Sequence, residues 1–209
     1  MKGLRYALVS TAEKTPGFVD FVHTLEILGF GIIATKGTVH ALEDASIIAE
    51  DVAKYVGEPI FDGHVTTLSR ELSAALLSQP TENDQKVLNE VGPIPRIDLV
   101  YIGLRPLIKE VIERGRESKH VIGDADVGGS TLLCLAATGR RIVMCRPEQI
   151  HAVLAAMKEC NFANGGSMRQ SFLSRLAKIA MQEVSFYWAS CAAIHEQAEK
   201  DSSLAERRM

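Results

Sequence analysis

The sequence predicts an α/β fold, in which a parallel sheet carries helices on both faces and a helical C-terminal segment follows. Three observations support this prediction. Between residues 6 and 45, a short apolar run, a polar turn and an amphipathic helix occur twice in succession, which is typical of parallel strands joined by helices. Further apolar runs of strand length follow in the second half of the chain. Apolar residues at helical spacing then continue through residues 167–198.

The first half of the chain contains two strand–helix units. Tyr6 to Val9 is a short apolar run that predicts the first strand, and the polar pair Ser10-Thr11 ends it. A helix follows, and Gly29 closes it. Gly31 to Ala34 predicts the second strand, before a second helix. The apolar positions of these two helices are Phe18, Phe21, Val22, Leu25 and Leu28, and then Val39, Leu42 and Ala45.

The second half alternates turns, strands and helices. Residues 62–68 form a polar turn that leads into a helix, and Pro80 to Asp84 is predicted to be a surface loop. Asp98 to Leu104 and Arg141 to Cys145 are apolar enough to be buried strands. A helix begins at Pro147, with an apolar face that completes this part of the fold.

Length and composition set the organisation and exclude several classes of protein. We expect an α/β domain over residues 1–160, a helical segment packed on it over 161–198, and a charged, frayed tail over 199–209. A net charge of -3 argues against general affinity for nucleic acid or for anionic membranes. No apolar run is long enough to span a bilayer, and the N-terminus reads as a first strand rather than an export signal.

The cysteines and histidines give no sign of a metal or of redox chemistry. The four cysteines show no CxxC spacing and lie among apolar residues, so we interpret them as reduced, mostly buried thiols of a cytoplasmic protein. Cys134 and Cys145 are interpreted as core residues rather than nucleophiles. The histidines lack metal-ligand spacing, and we therefore expect no metal.

Two polar turns are candidates for binding a phosphate. Residues 10–15 and 35–38 follow the first two predicted strands, and ligands of parallel sheets sit at the carboxyl ends of strands. Each turn combines hydroxyl groups and backbone amides with one lysine, Lys14 or Lys36. Amides and hydroxyls supply directed hydrogen bonds, and the lysine supplies charge. A helix cap beside a solvated lysine is the alternative for either turn alone.

A third candidate lies at Asp126-Val127-Gly128-Gly129, at the start of an apolar, alanine-rich helix. Two glycines at a helix N-terminus leave backbone N–H groups uncrowded, and the helix dipole favours an anion there. Asp126 would either cap this helix or hold a ligand group. The alternative, which is the commoner one for a glycine pair taken alone, is that the pair serves backbone geometry. The segment Gly103-Leu104-Arg105-Pro106, at the end of a predicted strand, is a further turn that faces the same edge of the sheet.

Taken in order, these motifs resemble the IMP cyclohydrolase domain of the bifunctional purine-biosynthesis enzyme. The resemblance covers about Leu4 to Ile194, and the family's second, formyl-transferring domain has no counterpart here. Thr35-Lys36-Gly37-Thr38 resembles the family's Ser-Gly-Gly-Thr, and Asp126-Val127-Gly128-Gly129 resembles Asp-Ile-Gly-Gly. The other carriers are Ser10 with Lys14-Thr15, residues 62–68 (similar to Asp-Gly-Arg-Val-Lys-Thr-Leu), Ile97 to Val100, and Phe186-Tyr187, which falls at the family's Ala-Tyr-Asp.

The resemblance implies a three-layer methylglyoxal-synthase-like fold and a purine ribonucleotide, or a related phosphorylated small molecule, as the ligand. It further implies closure of the ring of a formylated aminoimidazole carboxamide ribotide, without a cofactor. The 5′-phosphate would be held by the first two turns and Thr67, and Asp126 is the retained catalytic-type residue. His64 and Arg105 are further catalytic candidates, and the alternatives are a solvated turn residue and a surface cation at the end of a strand. The implied substrate-binding residues are Ser10, Lys14, Thr15, Thr35, Lys36, Gly37, Thr38, Thr66, Thr67, Gly103, Gly128 and Gly129.

Several catalytic positions depart from the family pattern. Thr66 stands where the family has a lysine, and His64 where it has an arginine. Arg105 falls in Gly-Leu-Arg-Pro where the family has Asn-Leu-Tyr-Pro, and Thr138-Gly139 replaces Lys-Asn. Ring closure benefits from a cation near the developing oxyanion and from a proton shuttle, two tasks suited to lysine. His64 could instead shuttle a proton and Arg105 could supply charge.

Three functions remain open on this sequence. The first is a cyclohydrolase-type enzyme with a rearranged catalytic set. The second is a binding module that keeps the anion pocket without turnover. The third is a different reaction on another phosphorylated heterocycle, since a shared fold does not carry function with it. The apolar faces of residues 167–198 exceed what one short helix needs, so we also expect a homodimer.

Overall fold

The structure is a computed structural model, and it describes residues 5–61, 65–113, 117 and 121–206. Within these residues, five strands form one parallel sheet in the order β3-β2-β1-β4-β5, with helices on both sides. The predicted α/β class is therefore confirmed. The strands are β1 (Arg5–Thr11), β2 (Phe30–Ala34), β3 (Glu50–Asp51), β4 (Ile97–Gly103) and β5 (Ile142–Met144).

β1 lies at the centre of the sheet because its side chains are suited to burial on both faces. Ala7, Leu8 and Val9 are fully buried, as expected for a strand covered on both sides. β1 pairs with β2 on one side and with β4 on the other, with Val9 opposite Ala34 and Tyr101. The order of the strands therefore reverses between β1 and β4, which defines the switch point of the sheet.

The helices of the first half begin where the sequence supplies caps. In α1 (Pro16–Ile27), the hydroxyl of Thr15 accepts a hydrogen bond from the Phe18 N–H at 3.2 Å, and proline occupies the first turn. In α4 (Arg70–Leu77), Ser69 accepts from the Leu72 N–H at 3.1 Å. The remaining helices before β4 are α2 (Lys36–Glu43), α3 (Ala53–Val56) and α5 (Glu82–Val91).

The structure differs from the sequence predictions at two places in this region. The loop expected from Pro80 to Asp84 is short, because Thr81 caps α5 by accepting from the Asp84 N–H at 3.1 Å and the helix begins at Glu82. β3 was not predicted, because a strand of only two residues, Glu50 and Asp51, has no period to detect.

The second half of the chain builds the other flank of the sheet. β4 leads into α6 (Leu107–Ile112), a 3-10 turn (Ile122–Asp124) and α7 (Val127–Thr138), which packs on β4 and β5. After β5 come α8 (Gln149–Glu159) and a second 3-10 turn (Phe162–Asn164). Burial raises the pKa of the Cys145 thiol, directly after β5, to about 12, which agrees with its interpretation as a core residue.

The final helix, α9 (Gln170–Glu206), is 37 residues long and packs on α7, β5 and α6. It extends beyond residue 198, so residues 199–206 continue the helix and do not form the frayed tail expected from the sequence. Its buried residues include Leu176, Val184 and Tyr187, which contact the chain's own core. Phe186 on its outer side is 67% exposed, and the homodimer stays a prediction. Among the described helices, none combines the length and apolarity needed to cross a membrane.

Candidate functional site

A cleft lies at the carboxyl edge of the sheet, at the switch point between β1 and β4. Its volume is about 820 Å³, and residues that follow β1, β2 and β4 line it together with the start of α7. Open α/β sheets bind ligands in this crevice. The predicted site residues that line the cleft are Ser10, Lys14, Thr35, Lys36, Gly37, Thr66, Thr67, Gly103, Arg105, Asp126, Gly128 and Gly129.

Three predicted site residues are not among those that line the cleft. Thr15 caps α1 through its side chain, so the cap interpretation is confirmed for this residue. Thr38 is 1% exposed and lies beneath the turn, where its Oγ1 accepts a hydrogen bond from Thr35 Oγ1 at 3.4 Å. His64 lies outside the described residues, as do Asp62 and Gly63 of the same turn.

Hydroxyl groups connect the first two turns. Ser10 Oγ and Thr35 Oγ1 are 2.8 Å apart, which links the end of β1 to the start of α2. Thr35 stands at the N-cap of α2, but the described structure contains no cap bond from its side chain to the backbone of this helix. Lys36 and Gly37 open the helix and line the cleft. Backbone N–H groups of a first helical turn have no intrahelical partner, so they are suited to an anion.

Lys14 brings positive charge to this end of the cleft. Its Nζ lies next to Gly37, 3.9 Å from the position that a Cβ would occupy there. Partial burial lowers the pKa of Lys14, and the neighbouring Arg105 guanidinium lowers it further. Because the positive charges of Lys14 and Arg105 repel each other, a bound anion would lower the electrostatic free energy of both. The Lys14 end of the cleft therefore has the chemistry of a phosphate subsite.

Arg105 and Asp124 form an ion pair on the other side of β1. Arg105 Nη1 is 3.3 Å from Asp124 Oδ1, and both residues line the cleft. Arg105 follows β4, and Asp124 ends the 3-10 turn that precedes α7. The pair fixes the direction of a guanidinium that is half exposed, so its other N–H groups are accessible from the cleft.

Asp126 combines the two roles left open by the sequence, because it caps α7 and also lines the cleft. Its Oδ1 accepts a hydrogen bond from the Gly129 N–H at 2.7 Å. Burial raises the pKa of this carboxyl, whereas the Gly129 N–H and the Arg105 charge act in the opposite direction. Because the Asp126 carboxylate already accepts from the Gly129 N–H, one donor of the expected anion seat is engaged within the chain. A ligand phosphate is therefore better placed at the Lys14 end.

Two glycines allow the walls of the cleft to approach each other closely. A Cβ on Gly128 would overlap Thr67 Oγ1, and a Cβ on Gly103 would overlap Thr11 Oγ1. Gly128 has an ordinary helical conformation, so this requirement is one of space rather than of backbone angles. The first turn of α7 can therefore lie against the Thr67 segment only because residue 128 has no side chain.

We expect Gly128→Ala to destabilise the natural protein and to stabilise a variant in which Thr67 is replaced by alanine. In the natural background the added methyl overlaps Thr67 Oγ1, and we expect a loss of about 1 kcal/mol or more. In a Thr67→Ala background the nearest remaining atom is the Cβ at 3.6 Å, and the helix propensity of alanine should stabilise by up to about 1 kcal/mol. Urea denaturation of the four proteins measures this coupling. A loss of equal size in both backgrounds would contradict it.

The cleft also contains residues that the sequence did not single out. Glu58 and Pro59 follow α3, a helix of four residues that the sequence did not indicate. Asp124 could have been predicted as a site residue, because it precedes Asp126 by two positions and the segment from Asp126 to Gly129 was itself a candidate. The other unpredicted lining residues are Thr11, Ala12, Ile102, Ala125, Val127 and Leu132.

The fold and the cleft together define a class: a parallel α/β protein with one polar cleft of mixed charge at the switch point of its sheet. A family model described as the MGS-like domain matches residues 17–131, which is more than half of the chain. The chain therefore belongs to the MGS-like domain family. It is also similar to a solved structure titled "Crystal structure of ForH", with 27% sequence identity and a TM-score of 0.74. That similarity covers 92% of this chain and 99% of the other.

Proposed function

We propose that this protein is an enzyme of the IMP cyclohydrolase type, which closes the ring of a formylated aminoimidazole carboxamide ribotide or a close analogue. The observation that carries the proposal is that one cleft brings together groups for an anion and groups for proton transfer. Lys14, Lys36 and the linked hydroxyls line it and can hold a phosphate. Arg105 and Asp126 line the same cleft and supply a cation and an ionisable carboxyl. A phosphorylated heterocycle requires both.

The proposed reaction is a dehydrative ring closure that needs no cofactor. The carboxamide nitrogen of the substrate forms a bond with the formyl carbon, and the formyl oxygen becomes an oxyanion. One proton from the carboxamide nitrogen and one from the formamide nitrogen are lost, and the oxygen leaves with two protons as water. The C–O bond breaks as the new C=N bond forms, so atoms and electrons balance.

Arg105 and Asp126 have complementary roles in this scheme. Arg105 remains charged throughout and stabilises the oxyanion on the formyl oxygen. Asp126 accepts the proton of the carboxamide nitrogen and returns it to the leaving oxygen, because its raised pKa makes the carboxyl a better base than an exposed one. Lys14 neutralises the ligand phosphate and holds the substrate in place.

Turnover of the formylated ribotide tests the proposal directly. The purified protein is incubated with this compound, and IMP is quantified by chromatography against a protein-free reaction. We expect IMP to form faster than the uncatalysed background and in proportion to the protein concentration. Ring closure at the background rate would remove the proposal.

A second candidate is binding of a purine ribonucleotide or a related phosphorylated molecule without turnover. Two observations favour it: Asp126 is already engaged as a helix cap, and Asp124 partly neutralises Arg105. Calorimetric titration with IMP, with inorganic phosphate as competitor, distinguishes the candidates. Tight binding of IMP without any turnover supports the binding function. Turnover of a different phosphorylated heterocycle alone would favour another reaction at the same cleft.

Binding of IMP is expected to be accompanied by proton uptake at alkaline pH. Burial and Arg105 lower the pKa of Lys14 from its ordinary value of 10.5 in the free protein. A phosphate beside the amine favours the charged form and raises this pKa, so binding takes up a proton and weakens as pH rises through the free-state pKa. Lys14→Met should abolish the uptake and weaken affinity by about tenfold to a hundredfold.

Calorimetry in two buffers of different ionisation enthalpy measures the number of protons taken up. Lys109→Met is the matched control, because Lys109 pairs with Glu13 at 3.5 Å and is not among the residues that line the cleft. This variant should bind IMP like the natural protein. Equal affinity of Lys14→Met and the natural protein would show that the phosphate is not held at this end.

A further inference from the structure

The hydroxyl of Tyr187 reaches the candidate site from the C-terminal helix. Tyr187 Oη accepts a hydrogen bond from the Asp126 N–H at 2.7 Å, across 61 residues of sequence. The ring is 7% exposed and lies in a small apolar cluster with Leu107, Val121, Cys191 and Ile194. Tyr187 lies outside the residues matched by the MGS-like domain, which end at 131, and it is not among the residues that line the cleft.

This hydrogen bond satisfies a backbone group that the helix cannot satisfy. Asp126 is the N-cap of α7, with φ −82° and ψ 74°, so its N–H points away from the helical hydrogen-bond pattern. A buried N–H without a partner is costly, and Tyr187 supplies the partner. The Asp126 side chain is held separately, because Oδ1 accepts from the Gly129 N–H. The residue is thus fixed at its backbone by α9 and at its carboxyl by α7.

The chemistry of the phenol fits this role. Burial raises the pKa of Tyr187 to about 12, so the hydroxyl keeps its proton at neutral pH and accepts through an oxygen lone pair. The ring packs at 5.7 Å against Trp188 in an edge-to-face arrangement. A phenylalanine would keep the apolar contacts of the cluster and lose only the hydroxyl.

We propose that Tyr187 is a positioning residue, which holds Asp126 in the orientation at which its carboxyl meets the substrate. The inference rests on the proposed function, and it makes α9 part of the active site. A displacement of a reacting group by about 1 Å typically costs about a hundredfold in rate. The hydrogen bond from α9 therefore has an effect on catalysis beyond its contribution to stability.

Tyr187→Phe tests this role in the 209-residue protein with two readouts. For turnover of the formylated ribotide, we expect kcat to fall by about tenfold to a hundredfold while KM changes little, because the phosphate subsite is untouched. For hydrogen exchange followed by NMR, we expect the Gly129 amide to exchange about tenfold faster, since its acceptor is no longer held. The Leu135 amide, in the body of the same helix, should keep its natural exchange rate.

Tyr55→Phe is the matched control. The Tyr55 hydroxyl donates to Glu50 Oε2 at 2.9 Å, beside β3, and Tyr55 is not among the residues that line the cleft. This variant loses a part-buried phenol hydroxyl that has no hydrogen bond to Asp126, and it should leave both kcat and Gly129 exchange unchanged. A loss of kcat in both variants would mean that any such hydroxyl matters, which would overturn the specific role of Tyr187.

The two readouts separate this inference from the proposed function. If the natural protein shows no turnover, the proposed function fails, and the exchange measurement still decides whether Tyr187 holds Asp126. Unchanged Gly129 exchange in Tyr187→Phe overturns the inference, whether or not the protein is active. Equal acceleration at Gly129 and Leu135 also overturns it, because the effect would then be a general loss of stability. An active Tyr187→Phe with natural kcat has the same consequence.

Discussion

Replacing Arg141 by methionine is expected to lower the free energy of unfolding by about 3 to 5 kcal/mol. Arg141 is 2% exposed, and its guanidinium donates to carbonyl groups at the end of α4. Nε donates to the Leu76 oxygen at 2.7 Å, and Nη2 donates to the oxygens of Ala75 and Ser78. Burial lowers the pKa of Arg141 to about 10, which leaves the group charged at neutral pH.

The size of the expected loss follows from what methionine leaves behind. The last carbonyl groups of a helix have no intrahelical partner, and here the guanidinium takes the place of water. Methionine fills a similar volume but donates no hydrogen bond, so the Leu76 and Ser78 carbonyls lose the guanidinium together, whereas the Ala75 oxygen still accepts from the Ser78 hydroxyl at 3.2 Å. The variant should unfold at a clearly lower urea concentration, and α4 with the adjoining wall of the cleft should be affected first.

Arg140→Met is the control for the Arg141 prediction. Arg140 is adjacent in sequence and exposed, with φ of 57°, and methionine carries the same backbone cost at that angle as arginine. Its replacement should change the free energy of unfolding by less than about 0.5 kcal/mol. Similar losses in the two variants would show that charge at this turn, and not the buried hydrogen bonds, determines the stability.

The sequence predicted the fold well where strands and helices follow a local pattern. β1, β2, β4 and β5 were each found from an apolar run, because strands buried on both faces are continuously apolar. β3 escaped detection, since two residues show no periodicity and their pairing with β2 depends on the tertiary fold. The extension of α9 to Glu206 was also not predicted, because helices were identified from apolar residues at helical spacing and this charged segment has none.

The candidate site was predictable to the extent that its residues lie in turns after strands. The turns near Lys14, Gly37, Thr67 and Gly128 were proposed from four separate segments, and all four line one cleft. The contribution of Asp124 was not predicted, and Tyr187 was named only as part of the resemblance, because their contacts join distant segments. The sequence also left two roles open for Asp126 at the start of α7. Sequence alone does not reveal whether the Asp126 carboxylate or a ligand accepts the hydrogen bond of the Gly129 N–H.

Replacing Asp126 by asparagine is expected to reduce kcat for ring closure by about 10² to 10⁴ and to leave the fold intact. Asparagine caps helices as well as aspartate does, and its side-chain oxygen can accept the same hydrogen bond from the Gly129 N–H. The variant therefore retains the geometry of α7 and loses only a group that can take up and release a proton. Its KM should change little, because the proposal assigns the phosphate to Lys14 and the linked hydroxyls and not to Asp126.

Asp51→Asn is the matched control for Asp126→Asn. Asp51 Oδ1 accepts a hydrogen bond from the Ala53 N–H at 2.9 Å, so it is also a carboxylate that holds a backbone amide, and it is not among the cleft-lining residues. Its replacement should leave kcat unchanged. If Asp126→Asn also keeps its natural kcat while the natural protein is active, then Asp126 is only a helix cap and the proton passes through another group.

The pH dependence of stability gives an independent measurement of the state of Asp126. Burial raises its pKa in the folded protein above the ordinary value of 3.8, so the folded state holds this proton more strongly than the unfolded state does. The resulting stabilisation is complete below the unfolded pKa and is lost as pH rises through the folded pKa. Asparagine does not titrate, so the stability of Asp126→Asn relative to the natural protein should rise with pH across this window. A difference that stays constant with pH would show that the carboxyl is not held in a desolvated environment, and the proposed proton shuttle would lose its physical basis.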